Sequence, residues 1–428
     1  MDISKLADWN PWWENKILIE KLVGRPRPRY HLLIDSVRIK EATIITGVRR
    51  SGKSTIMYQM IKHLLAKGVG PEQILFVNLE DKRLAKDSLD DIYECYRENV
   101  NSDSKSYIFL DEVHRKENWE SWVRKKYDLK EDIKFVISGS CSYLLRREYS
   151  TLLTGRNITF DVLPLNFEEF LLFKNIDVDK IKKGIILQKT KIKIQQSLKE
   201  FTAMGGFPEV FFKEKEFKLK VLEQYFDDII YKDIVDRYNL NSQKTKDFAL
   251  YLMTNFTGNI SLRNLRNSLN LSYDTIKEYI SSFKEAFLFF TIDYFSYSLK
   301  EQKTRPSKIY CIDNGLRNAV SFKFSKDEGK LAENLVFLEL RSRGKDVYYW
   351  KSEKQKEVDF AVKNKDGSLT AVNVSYADDI NERETDALLE FKQEFKKAKH
   401  FLVITKEHEA RKSGIQFIPL WKWLLLEK

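Results

Sequence analysis

Along the first third of the chain, short runs of apolar, β-branched residues alternate with longer stretches in which apolar positions recur every three or four residues. That pattern predicts buried parallel strands separated by amphipathic helices. Ala42-Thr43-Ile44-Ile45-Thr46, Tyr107-Ile108-Phe109-Leu110 and residues 133–137 read as strands, and Ile56, Met57, Met60, Ile61, Leu64 and Leu65 line one face of a helix behind the first. Over residues 176–243 the periodicity is helical and heavily charged, and Ile229, Ile230, Ile234 and Val235 form an apolar face suited to packing on the next domain. Residues 246–320 read as helix, helix, turn, helix and a hairpin, with Ser261 and Ser272 as the expected N-caps and residues 291–297 and 308–312 as the hairpin strands. Residues 347–350, 357–362 and 371–375 are further strands, after a helix that carries Glu333-Asn334.

Length and composition narrow the class. At about 150 residues per domain, 428 residues predict about three domains. With 16 Gly and 8 Pro the chain is neither collagen-like nor disordered. Cys95, Cys141 and Cys311 lie far apart without a CxxC pair, which argues against a zinc knuckle or a disulfide framework and fits a reducing cytoplasm. No window approaches a membrane span, so a soluble, cytoplasmic protein with no membrane partner is expected. Lys plus Arg outnumber Asp plus Glu by 74 to 63, a net charge of +11. The excess favours a polyanion such as DNA, with a solvated surface as the competing explanation.

Specific chemistry enters with Gly47-Val48-Arg49-Arg50-Ser51-Gly52-Lys53-Ser54-Thr55, which satisfies G-x-x-x-x-G-K-[ST] between a strand and a helix, the context the motif needs. Gly47 and Gly52 let the backbone curl so that N–H groups, including those of Arg49, Arg50 and Ser51, face phosphates. Lys53 is the expected contact to the β- and γ-phosphates of ATP, and Ser54 the hydroxyl for Mg2+. The strand at Tyr107 ends in Asp111-Glu112: Asp111 is expected to orient the metal, and Glu112 to polarise the attacking water. Ser138 or Ser140, at the end of the next strand, are candidates for sensing the γ-phosphate, against a plain Ser/Gly turn. Cys141 reads as a small buried side chain.

With these marks the chain resembles a mostly prokaryotic group of AAA+ ATPases related to the STAND class, in which the ATPase core precedes a winged helix and a restriction-endonuclease-like domain. The resemblance also runs through Asn10-Pro11-Trp12-Trp13, His114, Trp119, Thr154-Gly155-Arg156, Pro164-Leu165 and Gly205-Gly206-Phe207-Pro208. It implies an α/β chain divided into a P-loop NTPase core of the AAA+/ASCE type over residues 1–165, a helical lid over 166–243, a winged helix over 244–325 and a degenerate PD-(D/E)XK nuclease-like domain over 326–428. It also implies that Pro208 belongs to a lid element closing on the nucleotide, and that homo-oligomers complete the site with an arginine in trans. Arg156 is the first choice for that role, with Arg146 and Arg147 behind it.

In the winged helix the second helix mixes Asp274, Lys277, Glu278, Lys284 and Glu285, so the hairpin tip with Lys300, Lys303, Arg305 and Lys308 is the better expected contact for DNA phosphates, against a role in protein docking. In the last domain Glu333 and Asp359 occupy metal-ligand positions of the nuclease layout, but Asn373 and Ser375 stand where a carboxylate and the catalytic lysine belong. The resemblance therefore implies a fold that has lost its nuclease chemistry. The function expected is that of an oligomeric Mg2+-ATP-driven motor that binds and remodels or translocates DNA, branched DNA included. A nucleotide-operated switch recruiting protein partners is the alternative, and an ATP-dependent nuclease a disfavoured third.

Overall fold

Five strands pair side by side in parallel, four of them largely buried and the last at a half-exposed edge: β1 (Ala42–Thr46), β2 (Ile74–Asn78), β3 (Ser106–Asp111), β4 (Ile133–Gly139) and β5 (Asn157–Asp161), in the spatial order β2-β3-β4-β1-β5. The computed structural model describes residues 1–140, 153–183, 187–321, 327–377 and 382–426, and the chain divides into two units, Met1–Val162 and Leu163–Lys428. Cys141, Arg146 and Arg147 lie outside the described residues.

In the first unit, alternate residues of each strand enter different cores. Ile44, Leu75, Ile108, Leu110, Phe135 and Ile137 pack in one cluster and Ile45, Phe76, Phe109 and Val136 in another, as the two-residue period of a strand requires. The principal helices are α1 (Lys53–Ala66), α2 (Leu89–Asn99) and α3 (Trp119–Asp128). Register sets Thr46 beside Gly139 and Asp161, and Asn78 beside Asp111, so the strand ends share one edge. Strand β2 is the outer strand on one side, and the N-terminal segment covers it. The Asn10 amide donates to the Phe76 carbonyl (2.8 Å) and accepts the Phe76 N–H (2.6 Å), while the Trp12 and Trp13 indoles donate to Ile74. These bonds occupy a strand edge that would otherwise recruit another chain.

The second unit opens with helices α4 (Phe167–Phe173), α5 (Gln188–Met204) and α6 (Lys215–Asp228); α6 continues through a π-helical stretch, Ile229–Val235. Ile229, Ile230 and Ile234 are buried, and α7 (Ser242–Thr254) packs on that stretch. Helices α8 (Leu262–Leu269) and α9 (Tyr273–Glu285) start where the capping residues predict: the Ser261 hydroxyl accepts the Asn264 N–H (3.3 Å) and Ser272 that of Thr275 (3.1 Å). Strands β6 (Phe289–Ile292) and β7 (Lys308–Cys311) then pair antiparallel.

The hairpin departs from expectation twice. Its first strand stops at Ile292, because the chain turns to bond the C-terminal sheet, with the Phe295 N–H on the Tyr349 carbonyl (2.6 Å). Its tip is a short helix, α10 (Leu299–Thr304), capped by Ser298.

After α11 (Asn314–Val320) comes α12 (Glu328–Ser342), then strands β8 (Asp346–Lys351), β9 (Glu357–Lys363) and β10 (Leu369–Ser375), α13 (Glu382–Glu394), β11 (Ala398–Thr405), β12 (Ala410–Lys412), β13 (Ile415–Pro419) and α14 (Leu420–Leu425). β8, β9 and β10 form an antiparallel meander, and α13 leads from β10 to β11, which lies parallel to it in a sheet ordered β12-β13-β11-β10-β9-β8.

Candidate functional site

The loop between β1 and α1 is shaped for a phosphate. Gly47 has φ +145° and lies so close to the Val162 carbonyl that a Cβ would meet its oxygen at 2.1 Å; Gly52 is left-handed at φ +99° and opens α1. Both positions exclude ordinary side chains. Lys53 is the first residue of α1, and its buried ammonium donates to the carbonyls of Gly47 (3.0 Å) and Val48 (3.2 Å). The Ser51 hydroxyl is buried with no hydrogen-bond partner among the described residues. An orphaned hydroxyl, two constrained glycines and a helix N-terminus on one loop fit a nucleotide's phosphates.

The acidic pair meets this loop from β3. Ser54 Oγ donates to Asp111 Oδ2 at 2.6 Å, so the residues expected to hold the metal are in direct contact. Hard oxygens from one hydroxyl and one carboxylate suit Mg2+, which takes its remaining ligands from water and phosphate. Burial first, and then the neighbouring Glu112 charge, push the Asp111 carboxyl well up. Glu112 sits at φ +55°, a strained backbone for a glutamate. Its carboxylate accepts the Ser140 N–H (3.0 Å) and lies 3.3 Å from His114 Nδ1 and 3.7 Å from Lys53 Nζ. Burial works against its charge, but Lys53, then His114 and Arg49, outweigh it and hold Glu112 below its ordinary range. An ionised acid in a dry site is the state a water-polarising base requires.

Ser138 stands between the two acids. Its hydroxyl donates to Asp111 Oδ1 and accepts the Glu112 N–H (3.1 Å). Ser140 contributes its backbone, so both serines at the end of β4 act on the acid pair itself.

Other predicted residues sit further out. The Arg49 guanidinium is bidentate on Glu80 (2.8 and 3.4 Å), a carboxylate that also accepts from Arg115 (3.1 Å). Burial opposes its charge, but Arg49 and then Arg115 hold Glu80 down to about 2. Arg50 takes a left-handed turn at φ +67°, and Thr55 packs its methyl toward Gly24. Arg156 immediately precedes β5, bonded to Asp128 (2.8 Å), while its carbonyl takes the Ala42 N–H at the start of β1. It lies at the opposite edge of the sheet from the loop, about 15 Å away along a five-residue strand, and is no part of its own chain's site. Pro208 belongs to the second unit, in the first turn of the helix Pro208–Phe211.

Several contributors escaped sequence reasoning. Buried Arg27 donates to the Ser51 carbonyl (3.0 Å) and braces the loop; Glu80 and Arg115 tie Arg49. No motif flags them, because each acts across 24 to 35 residues of separation.

In the second unit Lys300, Lys303 and Arg305 are exposed on and just after α10, beside exposed Tyr297 and Leu299. Lys308 is a correction. It lies on β7 with a 4% exposed side chain, its ammonium 2.5 Å from Glu357, 3.1 Å from Glu333 and 3.5 Å from Asp359, so it is unavailable to a nucleic acid. Burial works against its charge, but Glu333 and the other acids raise it well above the ordinary lysine range. Asn373 is fully buried, accepting the Asp359 N–H (3.1 Å) and donating to Glu357 and Glu384.

Strand order, phosphate loop and acid pair together mark the first unit as a P-loop domain of the AAA type. Residues 40–171 match an AAA domain, and residues 195–327 and 328–423 match two domains of unknown function, DUF8612 and DUF4143. An uncharacterized protein of Methanocaldococcus jannaschii is 34% identical over 403 residues, covering 89% of this chain and 88% of the relative. Another, of Haemophilus influenzae, is 31% identical over 392 residues, covering 89% and 94%. The chain belongs to the family these proteins represent. Among solved structures, the Aeropyrum pernix ORC1 protein in complex with DNA overlaps 70% of this chain and 93% of that chain with a TM-score of 0.32 at 10% identity. AMPPCP-bound DnaA from Aquifex aeolicus overlaps 60% and 87% at 0.27 and 14%. Overlaps this loose carry no functional argument. Among the described residues no helix is long and apolar enough to cross a membrane.

Proposed function

We propose that this chain hydrolyses Mg2+-ATP and works as a homo-oligomer that binds and remodels DNA. The observation that carries the reading is the contact set Ser54–Asp111–Ser138, which ties the phosphate loop to the expected metal carboxylate and, through the Glu112 N–H on Ser138, to the backbone of the residue expected to polarise water. Lys53 and the loop N–H groups bind the phosphates, Ser54 and Asp111 hold the metal, and Glu112 takes the proton of the attacking water. Magnesium bound there offsets charge on the phosphate oxygens. Arg156, placed at the far edge of the sheet, serves a neighbouring subunit's site in this reading.

DNA as the partner rests on the exposed cations of α10 and the net charge of +11. The meander β8-β9-β10 between α12 and α13, with β11 parallel to β10, supports a nuclease-like fold for the last domain. A protein-recruiting switch is the second reading. It is favoured by the Gly205-Gly206-Phe207-Pro208 element, where the Gly206 N–H is held by buried Asp313 (2.7 Å) just beyond β7 and a Cβ on Gly206 would meet the Leu165 carbonyl at 2.2 Å. Steady-state ATP hydrolysis with single-stranded, duplex and four-way-branched DNA decides between them, with Lys53→Ala as the inactive control. Stimulation by DNA that falls steeply with salt is expected; slow turnover indifferent to every DNA would refute the motor in favour of the switch.

A further inference from the structure

A nuclease-like fold implies a divalent metal held by Glu333 of α12 and Asp359 of β9, and the residues present do not fit one. The Lys308 ammonium already stands among Glu333 (3.1 Å), Glu357 (2.5 Å) and Asp359 (3.5 Å), at the point where the three carboxylates converge. Two of these acids also accept other donors of the chain. Tyr310 donates to Glu333 (2.8 Å), and the Val374 N–H to the second oxygen of Asp359 (2.9 Å). Asn373, where a further metal carboxylate is expected, turns its NH2 to the Glu357 carbonyl and to Glu384, presenting donors in place of a ligand oxygen. Among the described residues no group of three His, Cys, Asp or Glu is arranged to hold a metal ion.

We infer that Lys308 is the resident cation of this centre, an ammonium from β7 that has taken the place of a divalent metal and turned a catalytic constellation into a fastening. Two chemical features favour this over a relocated catalytic lysine. The ammonium touches all three carboxylates instead of standing beside a vacant carboxylate pair, and it is 4% exposed, leaving no approach for a phosphodiester. The neighbouring bonds act in the same sense: Asn334, next to Glu333 on α12, accepts the Cys311 N–H (3.0 Å) and donates to the Cys311 carbonyl (3.1 Å) on β7. Consecutive residues of α12 thus grip one strand, one by charge and one by its backbone.

The inference rests on the nuclease-like reading of the last domain and is independent of the ATPase reading. It is tested on the full chain without nucleotide, in an Asp111→Asn background that removes the other metal site. Mn2+ binding is followed by electron paramagnetic resonance and by thermal unfolding. With Lys308 present, no Asp359-dependent Mn2+ binding and no Mn2+-dependent rise in Tm are expected. Lys308→Ala leaves three carboxylates without their cation, so its Tm falls by roughly 10 °C, and Mn2+ restores part of the loss at one site that Asp359→Asn abolishes. Stoichiometric, Asp359-dependent Mn2+ binding to the Lys308 chain, or Mn2+-dependent cleavage of DNA by it, overturns the inference, and this arm stands even if Lys308→Ala does not fold. A folded Lys308→Ala chain that is destabilised but blind to Mn2+ overturns the nuclease-like reading beneath it.

Discussion

Ser138→Ala removes a hydroxyl that bonds the Asp111 carboxylate and the Glu112 N–H, and its cost follows from those contacts. The bond to Asp111 is charge-assisted, worth about 1.5–3 kcal/mol, and the buried Glu112 N–H left without an acceptor costs about 1–3 kcal/mol. Ser138 and Asp111 are both buried, so the bonds lost are desolvated ones. If the Asp111 bond is needed in the transition state, the first figure corresponds to a kcat about 10- to 100-fold lower, at 1.36 kcal/mol per tenfold. Since Ser138 is engaged with Asp111 and Glu112, the loss falls on kcat, and the preference for ATP over ADP is unchanged; a side chain that read the γ-phosphate directly would lose that preference instead. Steady-state turnover and competition binding of a fluorescent nucleotide measure the two quantities, with Ser138→Thr as the variant that restores the hydroxyl and Glu112→Gln as the zero-turnover reference. Turnover within twofold of the parent, or a Ser138→Thr chain no better than Ser138→Ala, refutes the positioning argument.

Replacing Lys300, Lys303 and Arg305 together by Ala is expected to weaken DNA binding at all sequences and to lower the salt slope of log K by about 3, one unit per phosphate contact; an unchanged slope would remove the α10 tip from the interface. Lys134, buried on β4 with its ammonium on the Glu41 carbonyl, is held down to about 8 by burial. Its charged form is therefore disfavoured in the folded chain, a penalty full below pH 8 and gone above the unfolded value of about 10.4. Lys134→Met accordingly stabilises the first unit by about 1–3 kcal/mol at pH 7, the gain shrinking as pH rises from 8 toward 10.5; urea unfolding across that range checks both size and slope.

Local patterns carried the first unit. β1 is the predicted five-residue strand to the residue, the phosphate loop joins it to a helix, and Asp111 and Glu112 end a strand two places away in the sheet, because periodicity and glycine placement are properties of neighbouring residues. The caps at Ser261 and Ser272 were legible for the same reason. What stayed hidden depends on pairing at a distance. Residues 293–295 alternate well enough to extend the hairpin, yet a competing edge on β8 claims them, and no local signal ranks one partner over the other. Arg156 carries a motif-like Thr-Gly-Arg signature, but strand direction places it at the edge away from the phosphates, which only the order of the sheet reveals.

Lys308 shows the same limit with a larger consequence. A lysine between a basic tip and a strand reads as one more surface cation, because carboxylates that claim it lie 25 and 51 residues further along the chain. Lys308 stands on a strand joined to α12 by Glu333 and Asn334 and to the C-terminal sheet by Glu357 and Asp359. The exposed cations of α10 sit on the loop that ends in this strand. Separating the ammonium at the foot of that loop from its three carboxylates is expensive. In the reading proposed above, the ammonium that keeps a metal ion out of this centre is also the one that fastens the hairpin strand to α12 and to the C-terminal sheet.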